Sequence, residues 1–497
     1  MVVAVLATGA LLPIGYVVQA AFAMGWSELA ALVFRPKVGE LLVNTVLLVV
    51  IGVPASVVLG VGAAWLVERT ALPARRVFAV GFVAPLAIPA FVASYGWASA
   101  IPSISGLSGG VLVAVLAYFP LVYLPALAAI RGLDPALEES ARALGMGSWG
   151  VFGRVVLPQL RLAVLGGALV VALHLLAEYG AFAFLRFDTF TTAIVVAYQA
   201  TFAGPNAAAL GLVLAVLCLG LLALESLARG SGRARYARVG SGSPHPPARL
   251  PLGRLSPLAV LAAAAVVVAA TVVPLASVAR WLFAAEAFDL AALVPATAQT
   301  LGLSIGGAIG AILVALPFAW LAVRYPGRLS RLLEGAAYLA SSLPAIIVAL
   351  ALVATTLAFA PALYQTVFTV IFAYVVIFLP RALVPLRAGL SQVPESLEEA
   401  ARSLGVAPWA ARLRVTVPML VPAVAAGGAL VALGAANELT ATLLLAPTGT
   451  RTVATSFWSA ASSLDYPAAA PYAVLLVLLS IPAVALMFAH ATRRSLR

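Results

Sequence analysis

Long uninterrupted runs of apolar residues recur along this chain, and they constrain its fold more than any other feature. A helix that crosses the hydrocarbon core of a bilayer needs roughly 20 apolar residues. Runs of that kind lie near residues 3–24, 42–67, 77–100, 107–130, 162–185 and 208–228, and again near 257–280, 298–323, 333–358, 364–386, 419–446 and 471–490. They lack the period-two alternation of a lipid-facing strand, which excludes a barrel. The sequence therefore predicts an all-α polytopic membrane protein with about twelve transmembrane helices.

Composition supports the same class of protein. Apolar residues make up 64% of the chain and charged residues 9%, and the mean hydropathy is +1.11. These values lie far outside the range of soluble domains. The hydrocarbon of the bilayer is therefore the solvent for most of this chain.

The second half of the chain repeats the first. Trp65 and Trp320 are 255 positions apart, and Trp149 and Trp409 are 260 positions apart. Further pairs at these two offsets are Asn44/Gln299, Pro158/Pro418 and Glu178/Glu438. An even number of apolar runs in each copy gives both copies the same orientation, so the sequence predicts two parallel six-helix repeats.

The boundaries of the repeats follow from the apolar runs. We predict a first repeat over residues 1–228 and a second over 257–497, joined by a basic, Gly-, Pro- and Ser-rich cytoplasmic linker over 229–256. The first run ends in small residues as a secretory signal does, but it lacks a basic n-region. Because "PIGYVVQA" from Pro13 has a counterpart in "PLASVARW" from Pro274, we expect the first helix to be retained.

The basic residues predict an orientation. With the N-terminus in the cytoplasm, 24 of the 29 Lys and Arg residues fall in cytoplasmic segments, with Arg381 counted in the segment before the second polar loop. The residues left outside are Arg35, Lys37, Arg186, Arg280 and Arg451. We therefore expect both termini in the cytoplasm. The membrane then accounts for the net charge of +12, and no nucleic acid partner is needed.

Two polar stretches interrupt the apolar pattern at equivalent places: "LEESARALGMGSWGVFGRVVLP" from residue 137 and "LEEAARSLGVAPWAARLRVTVP" from residue 397. The predicted topology places both in the cytoplasm, between the fourth and fifth helices of each repeat. Each should form a short helix that ends near Gly145 or Gly405, where a positive φ is tolerated. Ser396 and Glu399 have the spacing of a capping box. A duplicated, bent cytoplasmic helix suits the docking of two copies of one partner, and an interfacial helix lying on lipid is the alternative.

These stretches resemble the EAA loop in the permease subunits of binding-protein-dependent ABC importers. Ser140 and Val417 are small departures from that pattern. The resemblance implies that each loop docks in a cleft on one of two copies of a cytoplasmic ATPase. It also implies an extracytoplasmic substrate-binding protein as partner and a location in the bacterial inner membrane. The residues that it assigns to the coupling loops are Glu138, Glu139, Ala141, Leu144, Gly145, Glu398, Glu399, Ala401, Leu404 and Gly405.

The chain lacks the residues that ATP hydrolysis requires. Its only lysine, Lys37, does not lie in a Gly-x-x-x-x-Gly-Lys-Ser/Thr phosphate loop. We therefore expect no enzymatic activity and no cofactor in this chain, with ATP and Mg²⁺ bound by the partner ATPases. The single cysteine and three separated histidines form no disulfide framework or Cys/His metal cluster. An ion-driven secondary transporter also uses repeats and intramembrane carboxylates, but it does not need two matched cytoplasmic helices.

Glu178 and Glu438 are carboxylates at equivalent positions inside the apolar runs. Ionisable groups at such depth are costly and usually face the interior of a helix bundle. The pair could line the path of a hard cation and act as transient metal ligands, because hard cations prefer oxygen. Equally, each carboxylate could bind backbone amides where a helix is broken. The residues themselves leave both interpretations open.

The segments "AEYGAFAFLRFDTFTTAIVVAYQATF" and "NELTATLLLAPTGTRTVATSFWSAASSLDYPAAAPYA" resemble the equivalent parts of fused permeases for ferric iron. The resemblance implies Fe³⁺ as the substrate. Thiamine permeases share the two-repeat plan, so thiamine or another small solute is the alternative. No symmetrical aromatic cage supports thiamine, since Tyr179, Phe182 and Phe184 are replaced by aliphatic or hydroxyl side chains in the second repeat.

Overall fold

A computed structural model describes residues 2–201, 204–229, 249–285, 289–340 and 342–493. Within these ranges the chain is helical, apart from connecting turns and one isolated β-bridge. The helices of the first half are α1 (Val2–Ala23), α2 (Trp26–Val33), α3 (Pro36–Arg69), α4 (Arg75–Gly81), α5 (Ala90–Ala100), α6 (Gly106–Tyr118), α7 (Pro120–Arg131), α8 (Pro135–Ala143), α9 (Ser148–Val151), α10 (Leu157–Ala177), α11 (Gly180–Phe184), α12 (Phe190–Thr201) and α13 (Gly204–Arg229).

The second half has a similar, though not identical, order of elements. Its helices are α14 (Ser256–Val267), α15 (Val273–Ala284), α16 (Leu290–Arg324), α17 (Arg328–Ala340), α18 (Ala345–Phe359), α19 (Val367–Ser391), α20 (Glu395–Ser403), α21 (Pro408–Ala411), α22 (Val417–Ala436), α23 (Thr440–Leu445), α24 (Val453–Ser462) and α25 (Tyr466–Arg493). Single π-helical turns connect α9 to α10, α14 to α15 and α21 to α22.

The number of membrane-crossing helices agrees with the sequence. In the described ranges, ten helical segments are long and apolar enough to cross a bilayer, and twelve if each of two bent pairs is one crossing. The bent pairs are α4 with α5, at 97°, and α17 with α18, at 98°. The sequence had predicted simple runs there, over 77–100 and 333–358. Pro89 and Pro344 explain the difference: each is the N-cap of the second helix of its pair, and proline disfavours helix in the residue before it.

The described chain divides into two compact units that differ from the two repeats. The first-half unit comprises residues 36–192, 216–285 and 480–497, and the second-half unit comprises 1–35, 193–215 and 286–479, wherever these residues are described. Helices α3, α7 and α10 form the centre of the first-half unit, and their equivalents α16, α19 and α22 form the centre of the second-half unit. The opening helix of each repeat joins the other unit: α1 packs against α17 and α18, and α15 packs against α5.

Glycines allow the central helices of the first-half unit to pack closely. A Cβ atom at Gly60 would lie 2.8 Å from Val122 Cβ and 2.9 Å from Phe119 O. A Cβ atom at Gly167 would lie 2.9 Å from Val122 Cα. Small residues at such contacts let membrane helices approach backbone to backbone. The position of α7, and of the polar loop that follows it, therefore depends on these two glycines.

The structure corrects one detail of the charge count. Arg381, which was assigned to a cytoplasmic segment, lies inside α19, ten residues before its end at Ser391. The apolar run and the helix both extend past this arginine, so its charge does not mark a helix end. Removing it from the count leaves the asymmetry, and the predicted orientation, in place.

Most of the predicted linker, residues 230–248, lies outside the described residues. The segment that follows it is attached to the first-half unit. The Leu250 amide donates to Arg69 O at 2.9 Å, and Leu250 O accepts from the Ala71 amide at 3.0 Å. These two bonds fix the end of the linker beside the end of α3.

Candidate functional site

The first polar loop is a short helix, a glycine turn and a second helix. Asp134 is the N-cap of α8, and its carboxylate accepts a hydrogen bond at 2.9 Å from the amide two residues further on. Gly145 ends α8 with a φ of 83°. Its amide donates to Arg142 O at 2.9 Å, and the Met146 amide donates to Ala141 O at 3.1 Å. This pair of bonds is a Schellman motif, and it confirms the predicted helix stop.

The second polar loop ends its first helix in the same way. Gly405 has a φ of 85°. Its amide donates to Arg402 O at 2.9 Å, and the Val406 amide donates to Ala401 O at 3.1 Å. The two loops therefore share one backbone design, which only glycine adopts without strain.

The start of α20 differs from the expectation. Pro394 is its N-cap, the helix begins at Glu395, and no side chain caps it. The predicted capping box of Ser396 and Glu399 is therefore wrong. Because proline fixes φ near the helical value, the helix starts early enough to place Ser396 inside its first turn.

Glu138 points into the protein and anchors the first loop. Its side chain is 2% exposed, and its Oε1 atom lies 2.8 Å from Arg69 Nη2 and accepts from Arg69 Nε at 2.9 Å. Its Oε2 atom lies 3.5 Å from Arg142 Nη2. Arg69 also donates from Nη2 to Ile130 O at 3.0 Å. One arginine at the end of α3 thus holds both the end of α7 and the middle of α8.

Glu398 anchors the second loop through the equivalent arginine. Its Oε1 atom accepts from the Thr416 hydroxyl and lies 3.6 Å from Arg324 Nη2. Arg324 Nη1 pairs with Glu395 Oε1 at 3.0 Å, and Arg324 Nη2 donates to Val393 O at 3.2 Å. Arg324 thus anchors the second loop as Arg69 anchors the first, but Arg324 contacts a second glutamate of the loop as well.

Large apolar side chains project from both loops. Leu144 and Leu404 directly precede the glycine turns and are 86% and 85% exposed. Trp149 and Trp409, on the following helices, are 83% and 67% exposed. Clustered exposed apolar side chains indicate a surface that a protein or a membrane covers. Of the other predicted loop residues, Glu139 and Glu399 are exposed, Ala141 is buried and Ala401 is partly buried.

The fifth crossing of the first repeat is broken at Glu178. The predicted continuous run over 162–185 is divided, since α10 ends at Ala177 and α11 begins at Gly180. Glu178 Oε1 accepts from the Ala181 amide at 2.9 Å, and Oε2 accepts from the Tyr118 hydroxyl. The carboxylate therefore binds an amide at the start of α11 that has no partner inside that helix.

Glu438 takes the same position at the start of α23 and divides the run over 419–446. Its Oε1 atom accepts from the Ala441 amide at 2.9 Å, and its Oε2 atom accepts from both the amide and the hydroxyl of Thr442, each at 2.9 Å. The Thr442 hydroxyl in turn lies 2.7 Å from the Tyr374 hydroxyl. Of the two possibilities that the sequence left open, backbone binding at a broken helix is present in both units.

No group of three or more His, Cys, Asp or Glu side chains is arranged to hold a metal ion in the described part of the chain. Each glutamate instead has oxygen-bearing neighbours of other types: Tyr118 beside Glu178, and Thr442 beside Glu438. Any ligand set for a hard cation would have to draw on these hydroxyl groups.

Sequence reasoning missed the two anchoring arginines. Arg69 and Arg324 are 255 positions apart, which is the offset that pairs Trp65 with Trp320. The repeat offset could therefore have identified the two arginines. It could not identify the glutamate that pairs with Arg69, because α8 has two adjacent glutamates and only the folded chain determines which one is buried.

Comparison with known proteins identifies the family. Residues 23–229 and 311–495 each match the family described as binding-protein-dependent transport system inner membrane component. The chain belongs to this family. It is a permease subunit of a binding-protein-dependent ABC importer in which two permease repeats are fused. This family assignment excludes the alternative of an ion-driven secondary transporter.

Relatives of this permease match nearly the whole chain or less than half of it. The Fe(3+)-transport system permease protein FbpB 2 of Haemophilus influenzae is 35% identical over 473 residues, which cover 94% of this chain and 93% of the relative. A probable molybdenum ABC transporter permease protein of Haloferax volcanii is 30% identical over 228 residues, covering 43% of this chain and 83% of the relative. The sulfate transport system permease protein CysT of Escherichia coli is 27% identical over 245 residues, covering 45% and 88%.

Proposed function

We propose that this permease forms the membrane path of an ATP-driven importer for ferric iron. The observation that carries the proposal is the similarity to the Haemophilus influenzae Fe(3+) permease, which extends over nearly the full length of both chains. The sulfate and molybdenum permeases match less than half of this chain. Thiamine and other small solutes remain the alternative cargo.

The two polar loops are the proposed docking sites for two copies of a cytoplasmic ATPase, one loop for each copy. Their exposed leucines, Leu144 and Leu404, offer apolar side chains that a cleft on the ATPase would bury. Because Glu138 and Glu398 are engaged by arginines of the permease, we assign them the role of holding the loops in shape. ATP and Mg²⁺ bind to the ATPase, and the permease itself carries no cofactor and catalyses no reaction.

The remaining partners follow from the proposed topology. Both termini lie in the cytoplasm of a bacterium, and the permease crosses the inner membrane. A substrate-binding protein delivers the cargo from the opposite side. The excess of basic residues in the proposed cytoplasmic segments fits anionic lipid head groups in the inner leaflet, and nucleic acid has no part in the function.

Glu178 and Glu438 are candidate residues of the translocation path and candidate transient ligands of Fe³⁺. Carboxylates suit a small, highly charged cation that seeks oxygen. Their hydrogen bonds to the first amides of α11 and α23 favour a structural role as well. The two roles are compatible, because a carboxylate oxygen has more than one acceptor position.

The decisive experiment is uptake of radiolabelled iron by the reconstituted importer, containing the permease, its ATPase and its binding protein. Thiamine, sulfate and molybdate are offered in parallel. ATP-dependent uptake of iron, with little uptake of the others, is the expected result. Uptake of thiamine or an oxyanion without iron would overturn the substrate assignment while leaving the family assignment intact.

A further inference from the structure

Arg381 lies at the middle of a membrane-crossing helix. It is ten residues from the C-terminal end of α19 at Ser391 and 14 residues from the start at Val367. At 1.5 Å per residue these separations are about 15 Å and about 21 Å. The hydrocarbon core is about 30 Å thick, so Arg381 belongs to the part of α19 that crosses it and not to an end of the helix. Arginines that reach the interface by extending along the helix do so from positions near helix ends.

This guanidinium has an aromatic neighbour but no ionic one. Its Cζ atom lies 4.9 Å from the centre of the Phe378 ring. Across the residues that the structure describes, Arg381 makes neither a hydrogen bond nor an ion pair. The contrast with other arginines is clear: Arg131 binds Glu68 at 2.6 Å, and Arg324 binds Glu395 at 3.0 Å.

The neighbouring helix has a space that fits the guanidinium. A Cβ atom at Gly434 of α22 would lie 2.5 Å from Arg381 Nη1 and 2.8 Å from the Phe378 ring. Any larger residue at position 434 would therefore displace the arginine. The side chain lies between α19 and α22, so it is held in place within the second-half unit rather than extended into lipid.

The first repeat places a basic group in the same register. Gly434 is 260 positions after His174, and Phe378 is 260 positions after Tyr118. The His174 and Tyr118 rings lie 5.2 Å apart. Each unit thus has a basic side chain against an aromatic ring at this point. His174 is four residues before Glu178, and Arg381 reaches the space at Gly434, which is four residues before Glu438. The basic group comes from α19 in the second-half unit, as Arg381, and from α10 in the first-half unit, as His174. Because these helices are not equivalent in the two repeats, duplication of one residue does not explain why both units have a basic group at this point.

We propose that Arg381 binds an anionic oxygen group of the cargo, so that ferric iron passes this point as a complex with a carboxylate- or phosphate-bearing anion. The inference rests on the proposed iron transport function. A guanidinium offers five N–H donors in a planar fork and binds carboxylate or phosphate through two parallel hydrogen bonds. An unpaired cation in a medium of low dielectric constant would repel a bare Fe³⁺ ion. An anion coordinated to the iron instead offers the guanidinium negatively charged acceptor oxygens, which none of the described residues supplies.

The test uses the full importer in proteoliposomes, with the binding protein loaded with ⁵⁵Fe³⁺ in the presence of ¹⁴C-citrate or ³²P-phosphate. The expected result is that one labelled anion enters with the iron. Arg381→Gln should slow iron uptake at least tenfold, and Arg381→Lys should restore only part of it, because the charge returns without the planar fork. ATPase association should be equal in all three proteins. Iron entry without either anion, or an Arg381→Gln variant as fast as the parent, would overturn the proposal.

A second measurement does not depend on transport. Cys218 is the only cysteine of the chain and is buried, so Cys218→Ser gives a background without thiols. In that background, Arg381→Cys in the assembled importer should react with a water-soluble, anionic methanethiosulfonate, and citrate or phosphate should leave the reaction unchanged because their binding residue is gone. A thiol that stays unreactive in assembled complexes would show that position 381 does not face water and would end the proposal.

Failure of the proposed function gives a distinguishable pattern. If the parent importer takes up sulfate or molybdate and no iron, the iron assignment is wrong. In that case the same Arg381→Gln variant should lose at least tenfold in oxyanion uptake if the inference holds. An unchanged rate of oxyanion uptake in this variant would refute the anion-binding role of Arg381 as well as the iron assignment.

Discussion

Arg69 Nη2 and Glu138 Oε1 lie 2.8 Å apart, and both side chains are almost completely buried. The arginine ends α3, at the centre of the first-half unit, and the glutamate lies in the middle of α8. The second repeat pairs Arg324 with Glu398 at 3.6 Å and adds the exposed Glu395. The two loops are therefore anchored by the same kind of contact but with different degrees of burial.

Removing the buried anchor should cost more than removing its equivalent. Breaking a buried ion pair by deleting one partner costs about 3–5 kcal/mol, because the remaining charge is left uncompensated. We expect Arg69→Ala to lower the free energy of unfolding by about that amount and Arg324→Ala to lower it by less, since water reaches Glu395. Denaturant titration of the purified permease in mixed micelles measures both. Equal losses for the two variants would contradict this view of the anchors.

Replacement of the turn glycines should uncouple transport. Gly145 and Gly405 have φ values of 83° and 85°, and a residue with a Cβ atom held in such a conformation is strained by about 1–3 kcal/mol. Gly145→Val together with Gly405→Val should distort both loop tips and reduce ATP-driven uptake by at least tenfold, while membrane insertion continues. Uptake and ATPase co-purification are the measurements.

A neighbouring glycine provides the matched control. Gly147 lies in the same loop with an ordinary φ of −68°, and no atom lies within 4 Å of where its Cβ would be. Gly147→Val should therefore leave coupling close to that of the parent. If this control fails as badly as the double variant, bulk in the loop rather than backbone conformation is responsible.

The exposed leucines should contribute directly to docking. Burying a leucine side chain contributes about 1.5–3 kcal/mol, and each 1.4 kcal/mol is a tenfold change in affinity. Leu144→Ala with Leu404→Ala is expected to weaken ATPase association at least tenfold without a change in permease stability. Ser140→Ala, an exposed change on the same helix, should have little effect. Unaltered association in the double leucine variant would count against docking at the loop tips.

The glutamates of the broken helices should respond unequally to Gln. Gln at position 178 keeps an acceptor for the Ala181 amide and gains a donor that can face Tyr118. Both carboxylate oxygens of Glu438 accept protein N–H groups, so Glu438→Gln leaves a buried donor unpaired, at a cost of about 1–3 kcal/mol. We therefore expect Glu438→Gln to destabilise the permease and Glu178→Gln to change its stability by less than about 1 kcal/mol.

Transport separates the path role from the capping role of these glutamates. If they line the iron path, both single variants should lose most of the ⁵⁵Fe uptake, irrespective of their stabilities. If uptake follows stability, with Glu178→Gln near the parent rate, the carboxylates act as helix caps alone. The association of the ATPase is the control and should be unaffected in either case.

The permease alone should be inert. Proteoliposomes that contain only this chain are expected to show no ATP hydrolysis, because no phosphate-binding loop is present in its sequence. They should also show no uptake driven by proton or sodium gradients, because the proposed importer takes its energy from the partner ATPase. Adding the ATPase and the binding protein should start uptake. Gradient-driven uptake by the chain alone would contradict the assignment of energy coupling to the partner.

Features that depend on local chemistry were predictable from the sequence. The length of an apolar run determines whether a helix can cross the bilayer, and a glycine in a short polar loop determines where a helix can end. This is why the repeats, the number of crossings and the turns at Gly145 and Gly405 could be inferred. The start of α20 could not, because the capping-box spacing of Ser396 and Glu399 suggested a later start than the one at Pro394.

Features that depend on distant contacts were not predictable. The burial of Glu138 rather than Glu139 depends on the rotation of α8 against α3, and no pattern within α8 determines it. Arg381 was taken as a cytoplasmic charge, because a charge usually ends an apolar run and the space at Gly434 becomes visible only in the folded chain. The attachment of α1 to α17 and α18 joins segments about 300 residues apart, which no periodicity could reveal.

That attachment has a consequence for how the protein is made. At 5–20 residues per second, the ribosome needs about 15 to 60 seconds after completing α1 before α17 begins to appear. During this interval α1 must wait in the bilayer beside lipid or a helper protein. Its sequence suits the delay, since it carries no charged residue on any face. Helix α1 is thus synthesised long before most of the unit that it completes, and a substitution in α1 should damage the packing of α17 and α18.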